Sequence, residues 1–221
     1  MSGEIQNSSV KQPALAATNN WQRTAILISN ITAPPMLAVP TYVVLGLYDQ
    51  SKSKISATSL LLELAVSIFF GVFLPIGLIL FLYSRKLVSD MHISNREQRT
   101  IPYLGAIAAY LIAFGLVYSI NGQGILAAVM ICYAINTIVI MGINFGWKVS
   151  AHATGVGGPL AALTLIFGWS IAPLYVLIPL VNWARVFLKA HTLGQVTVGS
   201  LLGFGLTLLQ LSLIFRPLGW I

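Results

Sequence analysis

Charge is what this chain lacks most. Of its 221 residues only 8% are charged, and only five are acidic: Glu4, Asp49, Glu63, Asp90 and Glu97. A soluble domain carries roughly 25% charged residues. With 57% of the residues apolar, the composition excludes an ordinary soluble globule and fits a polytopic membrane protein. The single cysteine, Cys132, excludes a disulfide within the chain and leaves the redox compartment open. No basic start runs straight into an apolar core, so the first two dozen residues do not read as a secretory signal peptide. Ten-residue alternation is missing too, so every span is expected to be helical. No repeat at a fixed period is visible, and no inverted repeat, which weakens a transporter reading. With so few carboxylates the chain does not suit a hard divalent metal, and no metal or other cofactor is expected. The twelve Lys and Arg are scattered through loops and form no nucleic-acid patch, so no nucleic-acid partner is expected.

What is present is apolar length. Residues 1–24 read as a polar, flexible tail, and 25–221 as a single membrane-embedded helical domain. The apolar runs are 57–83, 102–120, 124–146, 156–168, 171–184 and 196–215. A seventh, 25–47, either crosses or only dips in, because Pro34, Pro35 and Pro40 interrupt it. The expected fold is therefore all-α, an integral membrane bundle of six or seven transmembrane helices.

Three polar segments punctuate these runs: "SRKLVSDMHISNREQRT" at 84–100, "KVSAHATGVGG" at 148–158 and "ARVFLKAHTLGQ" at 184–195. Two runs separate each from the next. An even number of crossings returns the chain to its starting face, so the three segments should converge on one membrane surface. All three histidines, His92, His152 and His191, fall there, as do Lys11, Arg23, Arg85, Lys86, Arg96, Arg99, Lys148, Arg185 and Lys189. Only Lys52, Lys54 and Arg216 fall on the other side. A cationic pocket with histidines and few carboxylates suits an anionic, phosphate-like ligand. His191 and Gln195 stand four apart, on one helical face, so Gln195 can orient the imidazole. His152 opens a helix whose first amides can face an anion. Taken singly, a lysine or arginine at a membrane-helix end is as readily a headgroup anchor, and Gly155, Gly157 and Gly158 are as readily packing residues. Glu63, one turn into its helix, stands apart from the cluster.

The order and spacing of these residues resemble the type 2 phosphatidic acid phosphatase (PAP2) superfamily, over roughly residues 85–205. That family's third motif reads S-R, five residues, H, three residues, D; Arg185 and His191 match it at the right spacing. His152 matches the histidine of its P-S-G-H motif. Its first motif, K, six residues, R-P, is met only at Pro102, with Ser94 and Ile101 at the charged places and Arg99 one turn before. The resemblance implies a membrane phosphatase acting on a lipid phosphate or isoprenyl diphosphate through a phosphohistidine. His191 would be the nucleophile, His152 the acid, Arg185, Lys148, Arg99 and Ser150 the phosphate-binding groups and Gln195 the orienting group. It departs at Gln195, where the family has aspartate, at Ala184, where it has serine, and at Ala151. These departures leave open a second reading, a catalytically impaired PAP2-like subunit of a larger membrane complex. The implied partners are the bilayer, a membrane lipid and, on the second reading, other subunits; the implied location is the cell membrane. Counting cations puts the site on the cytoplasmic face, whereas the family commonly has it on the outer face.

Convergence of the three segments gives a direct test. Cysteines introduced as Ser94→Cys and Lys189→Cys should react with an impermeant maleimide from the same side of sealed vesicles. Labelling from opposite sides would remove the shared site.

Overall fold

A computed structural model describes residues 19–53 and 55–221. The expected polar tail lies outside the described residues up to residue 18, and helix begins at Asn20. Among the described residues every regular element is helical. The α-helices are α1 (Asn20–Ile31), α2 (Pro34–Ser53), α3 (Ala57–Ile68), α4 (Leu74–Ser84), α5 (Thr100–Asn121), α6 (Ile125–Asn144), α7 (Ala151–Phe167), α8 (Leu177–Phe187) and α9 (Leu193–Gln210).

Five helical stretches are long and apolar enough to cross a membrane: Ala57–Ser84, Arg96–Asn121, Ile125–Asn144, Ala151–Phe187 and Leu193–Phe215. The α1–α2 pair, bent by 42°, passes the same test as a unit. Large apolar side chains such as Leu61, Phe73, Trp169, Leu201 and Leu213 are exposed on the outside. In water that surface would be costly; against lipid tails it is the expected exterior.

Three features shape the bundle. First, α3 and α4 form one rod through a π turn at Phe69–Phe73. Pro75 has no N–H and its ring crowds the preceding turn, so the backbone widens there. Second, the sequence runs 156–168 and 171–184 fall in one unbroken helical stretch, Ala151–Phe187. As a straight α-helix its 37 residues would span about 55 Å. Instead Lys148 and Ala190, on either side of it, are bonded at 2.8 Å. The chain reverses at Gly168, whose φ of 59° a side chain would resist, and a 3-10 segment, Gly168–Val176, leads into α8.

Third, α7 and α9 lie side by side almost without intervening side chains. A Cβ on Gly199 would meet the Ser150 carbonyl at 2.8 Å, one on Gly157 the Ser200 carbonyl at 2.6 Å, and one on Gly203 would overlap the Thr154 carbonyl. Contacts that pair 150 with 199 and 154 with 203 mean that the two helices run parallel, with α8 as the return. Deeper in, Asn136 of α6 donates to Thr207 (2.8 Å) and accepts from Gln210 (2.8 Å) of α9. At the far end Glu63 is buried and accepts from Asn121 at 2.8 Å, and Asp49 accepts from the Ile125 N–H at 3.1 Å.

Backbone atoms cannot move aside as a flexible side chain can. Gly157→Ala and Gly203→Ala are therefore expected to destabilise the folded protein by about 1–3 kcal/mol each. Gly115→Ala, which meets nothing within 4 Å, should be neutral or slightly stabilising. Thermal unfolding in detergent checks the contrast.

Candidate functional site

The three polar segments meet at the end of the bundle where α5, α7 and α9 begin and α6 and α8 end. Arg96 donates to the Gly146 carbonyl at 2.6 Å, and Asn144 donates back to the Arg96 carbonyl at 3.0 Å. The Ser150 N–H donates to the Gln195 carbonyl at 3.3 Å. These bonds join the starts of α5, α7 and α9 through the loops between them.

Arg99 is buried in a 3-10 turn, Arg96–Arg99. Its Nε donates to the Ile93 carbonyl (2.8 Å) and one Nη to the Val149 carbonyl (2.9 Å). Arg185, in the last turn of α8, is only 5% exposed, and its Nη1 donates to Ser29 Oγ at 2.9 Å. Its Nε has no partner. Lys148 donates to the Ala190 carbonyl at 2.8 Å, and Ser150 is fully buried with its oxygen accepting the Ala153 N–H at 3.3 Å as the cap of α7. His152 follows at once, and its Nε2 is buried without a partner. Arg99, Arg185, His152, His191 and His92 all line one cavity. A second, outer cavity is lined by Ser29, Lys148, Arg185, Lys189 and again His92.

The arrangement of His191 is specific. Thr192 and Gln195 form a capping box at the start of α9: Gln195 Oε1 accepts the Thr192 N–H at 3.1 Å while Thr192 Oγ1 accepts the Gln195 N–H at 3.3 Å. A backbone N–H can only donate, so the atom facing it must be the amide oxygen. That same oxygen lies 3.2 Å from His191 Nδ1. Nδ1 therefore carries the proton, and Nε2 keeps its lone pair.

Electrostatics reinforce this. Burial, and then the charges of Lys148, Arg99 and Arg185, push His191 down to about 3, against the smaller opposing effect of its Gln195 bond. Burial, with Arg99 and Arg185 adding to it, lowers Lys148 below the usual ammonium range. Asp90 goes the other way. Burial opposes its charge, but bonds from Ser94, from the His92 N–H and from Ser89 outweigh that and hold it below the usual carboxylate range. Its oxygens are committed to its own loop, with the Ser94 N–H at 3.0 Å and the His92 N–H at 2.9 Å. Among the described residues no group of three or more His, Cys, Asp or Glu is placed to hold a metal.

Two contributors escaped the sequence reading as site residues. His92, set by the Asp90 turn, brings its ring to 5.9 Å from that of His152. Ser29 comes from α1, in the run whose course the prolines left open; a polar Ser-Asn pair inside an apolar run was the available signal. Compared with protein-family models, with curated proteins and with solved structures, the chain finds no significant match. The functional reading therefore rests on the geometry and on the motif residues themselves.

Neutral His191 makes stability depend on pH. Between about 3 and the ordinary 6.5 the unfolded chain binds a proton that the folded chain refuses, so acidification favours unfolding. The melting temperature should fall as pH is lowered through that window. His191→Gln, which removes the titrating ring and keeps a polar side chain, should make the fall shallower. An unchanged slope in the variant would exclude a buried neutral His191.

Proposed function

We propose that the protein is an integral membrane phosphatase of the PAP2 type, crossing the cell membrane six or seven times and hydrolysing a lipid phosphate or isoprenyl diphosphate without a metal. The observation that carries this reading is the His191–Gln195 pair. Gln195 Oε1, 3.2 Å from Nδ1, leaves Nε2 of His191 free to attack, in a pocket lined by Arg99 and Arg185.

In the first step the Nε2 lone pair forms a bond to phosphorus. The bond from phosphorus to the lipid oxygen breaks with its electrons on that oxygen, and His152 delivers the proton that makes it an alcohol. In the second, water attacks the phosphohistidine, His152 takes a proton from the water, and the phosphorus–nitrogen bond breaks to restore His191 and release phosphate. Arg99 and Arg185 face the charge that develops on the phosphoryl oxygens, where fixed donors are most effective. The bound phosphate supplies the negative charge that favours a proton on His152.

The reading of a catalytically impaired subunit is favoured by one feature. Gln195 supplies an acceptor but no charge, so an imidazolium forming at His191 lacks the anionic partner that an aspartate would give. Fully buried Ala184 likewise offers no donor.

Release of phosphate from lipid phosphates by the purified protein, with chelator present, separates the two. On the phosphatase reading His191→Ala and Arg185→Gln lower the rate at least a hundredfold. Gln195→Glu keeps the side-chain length, the cap and the Nδ1 contact while adding the missing charge. A charge-assisted bond in place of a neutral one gives about 1–3 kcal/mol, so turnover should rise roughly ten- to a hundredfold. No release from either the native protein or Gln195→Glu, with other subunits copurifying in fixed ratio, would establish the impaired-subunit reading instead.

A further inference from the structure

The inner cavity, about 390 Å³ in volume, continues from the histidines into the bundle. Beyond its charged mouth the walls turn apolar, with Pro75, Ile76, Ile79, Ala106 and Ile140. The widened turn at Phe69–Phe73 brings Gly71 into the wall. The inner end is polar again. Tyr110 lies eleven residues after Arg99 on α5, about 16 Å further in. Its ring meets Tyr133 edge-on at 5.8 Å, and Tyr133 packs on Tyr42 at 6.3 Å. Asn136 beside them is tied into α9 through Thr207 and Gln210. Tyr103, in the first turn of α5, is buried with its hydroxyl beside the Arg99 guanidinium.

A phosphate held at the mouth would therefore direct its tail into an apolar chamber that runs inward to Tyr110 and Tyr133. The volume is near the small end of the roughly 300–1,000 Å³ range of ligand pockets, which suits one chain and not two. Resting on the phosphatase reading of the mouth, we infer that the ligand is a phosphorylated amphiphile with a single hydrocarbon chain, received by the chamber and limited in length by Tyr110 and Tyr133.

Binding to the full chain in phosphatidylcholine nanodiscs tests this with phosphonates that cannot be hydrolysed: methylphosphonate for the mouth alone, dodecylphosphonate for one chain, and the phosphonate analogue of dioleoyl phosphatidic acid for two. At equal mole fraction in the lipid, the single-chain probe should bind at least tenfold more tightly than the double-chain one. Ala106→Phe, which fills the chamber below the mouth, should weaken dodecylphosphonate at least tenfold and leave methylphosphonate unchanged. Arg185→Gln should weaken both. Equal binding of the one- and two-chain probes overturns the chamber assignment, as does indifference of dodecylphosphonate to Ala106→Phe, while the phosphate mouth stands. Methylphosphonate binding that ignores Arg185→Gln overturns the mouth itself. If Ala106→Phe does not fold, the comparison of one- and two-chain probes on the unaltered protein decides.

Discussion

The close contact of α7 with α9 is the constraint on which the site depends. Lipid offers no hydrophobic drive between helices, so their association rests on close packing, and small residues allow the closest. Gly157, Gly199 and Gly203 let the two backbones touch. Because the helices run parallel, the start of α7, with His152, and the start of α9, with His191 just before it, come to the same end. The Ser150–Gln195 backbone bond closes that end. Shift either helix by a turn and the two histidines separate by about 5 Å along the axis.

Cation placement follows from the same geometry. Arg99 and Arg185 are buried together with Lys148 nearby, and the acidic side chain closest in the loops, Asp90, spends its oxygens on backbone and hydroxyl groups of its own turn. Backbone carbonyls and the Ser29 hydroxyl satisfy part of each guanidinium. They bring dipoles and no countercharge. Burial, and with it the field that remains positive, keeps His191 neutral, and the same field gives an anion reason to enter.

The polar inner end of the chamber is a different kind of device. Tyrosine and asparagine in a bundle core cost free energy unless paired, and Asn136 is paired at both its amide nitrogen, with Thr207, and its oxygen, with Gln210. The network locks α6 to α9 at the depth where the chamber stops. The same residues that hold the bundle together also set where the space ends.

Much of this was legible in the residues alone. Shortage of charge and the length of the apolar runs led to an all-helical membrane bundle, because a backbone in lipid must satisfy its own hydrogen bonds. The four-residue step from His191 to Gln195 already pointed to the pairing of ring and amide, but not to its geometry: His191 precedes α9 instead of sharing its face, and the capping box at Thr192 brings the amide oxygen to the ring. Reversal at Gly168 inside an unbroken helical stretch was not legible as such, because length and hydropathy do not record a backbone angle. Nor were the pairings of Arg185 with Ser29 and of His92 with His152, or the chamber running inward to Tyr110 and Tyr133. Each joins residues far apart in the chain, and only packing of helix on helix decides which distant side chains share one space. Local chemistry follows from the order of residues; the meeting of separate segments, and the cavity left between them, follows from how the helices pack.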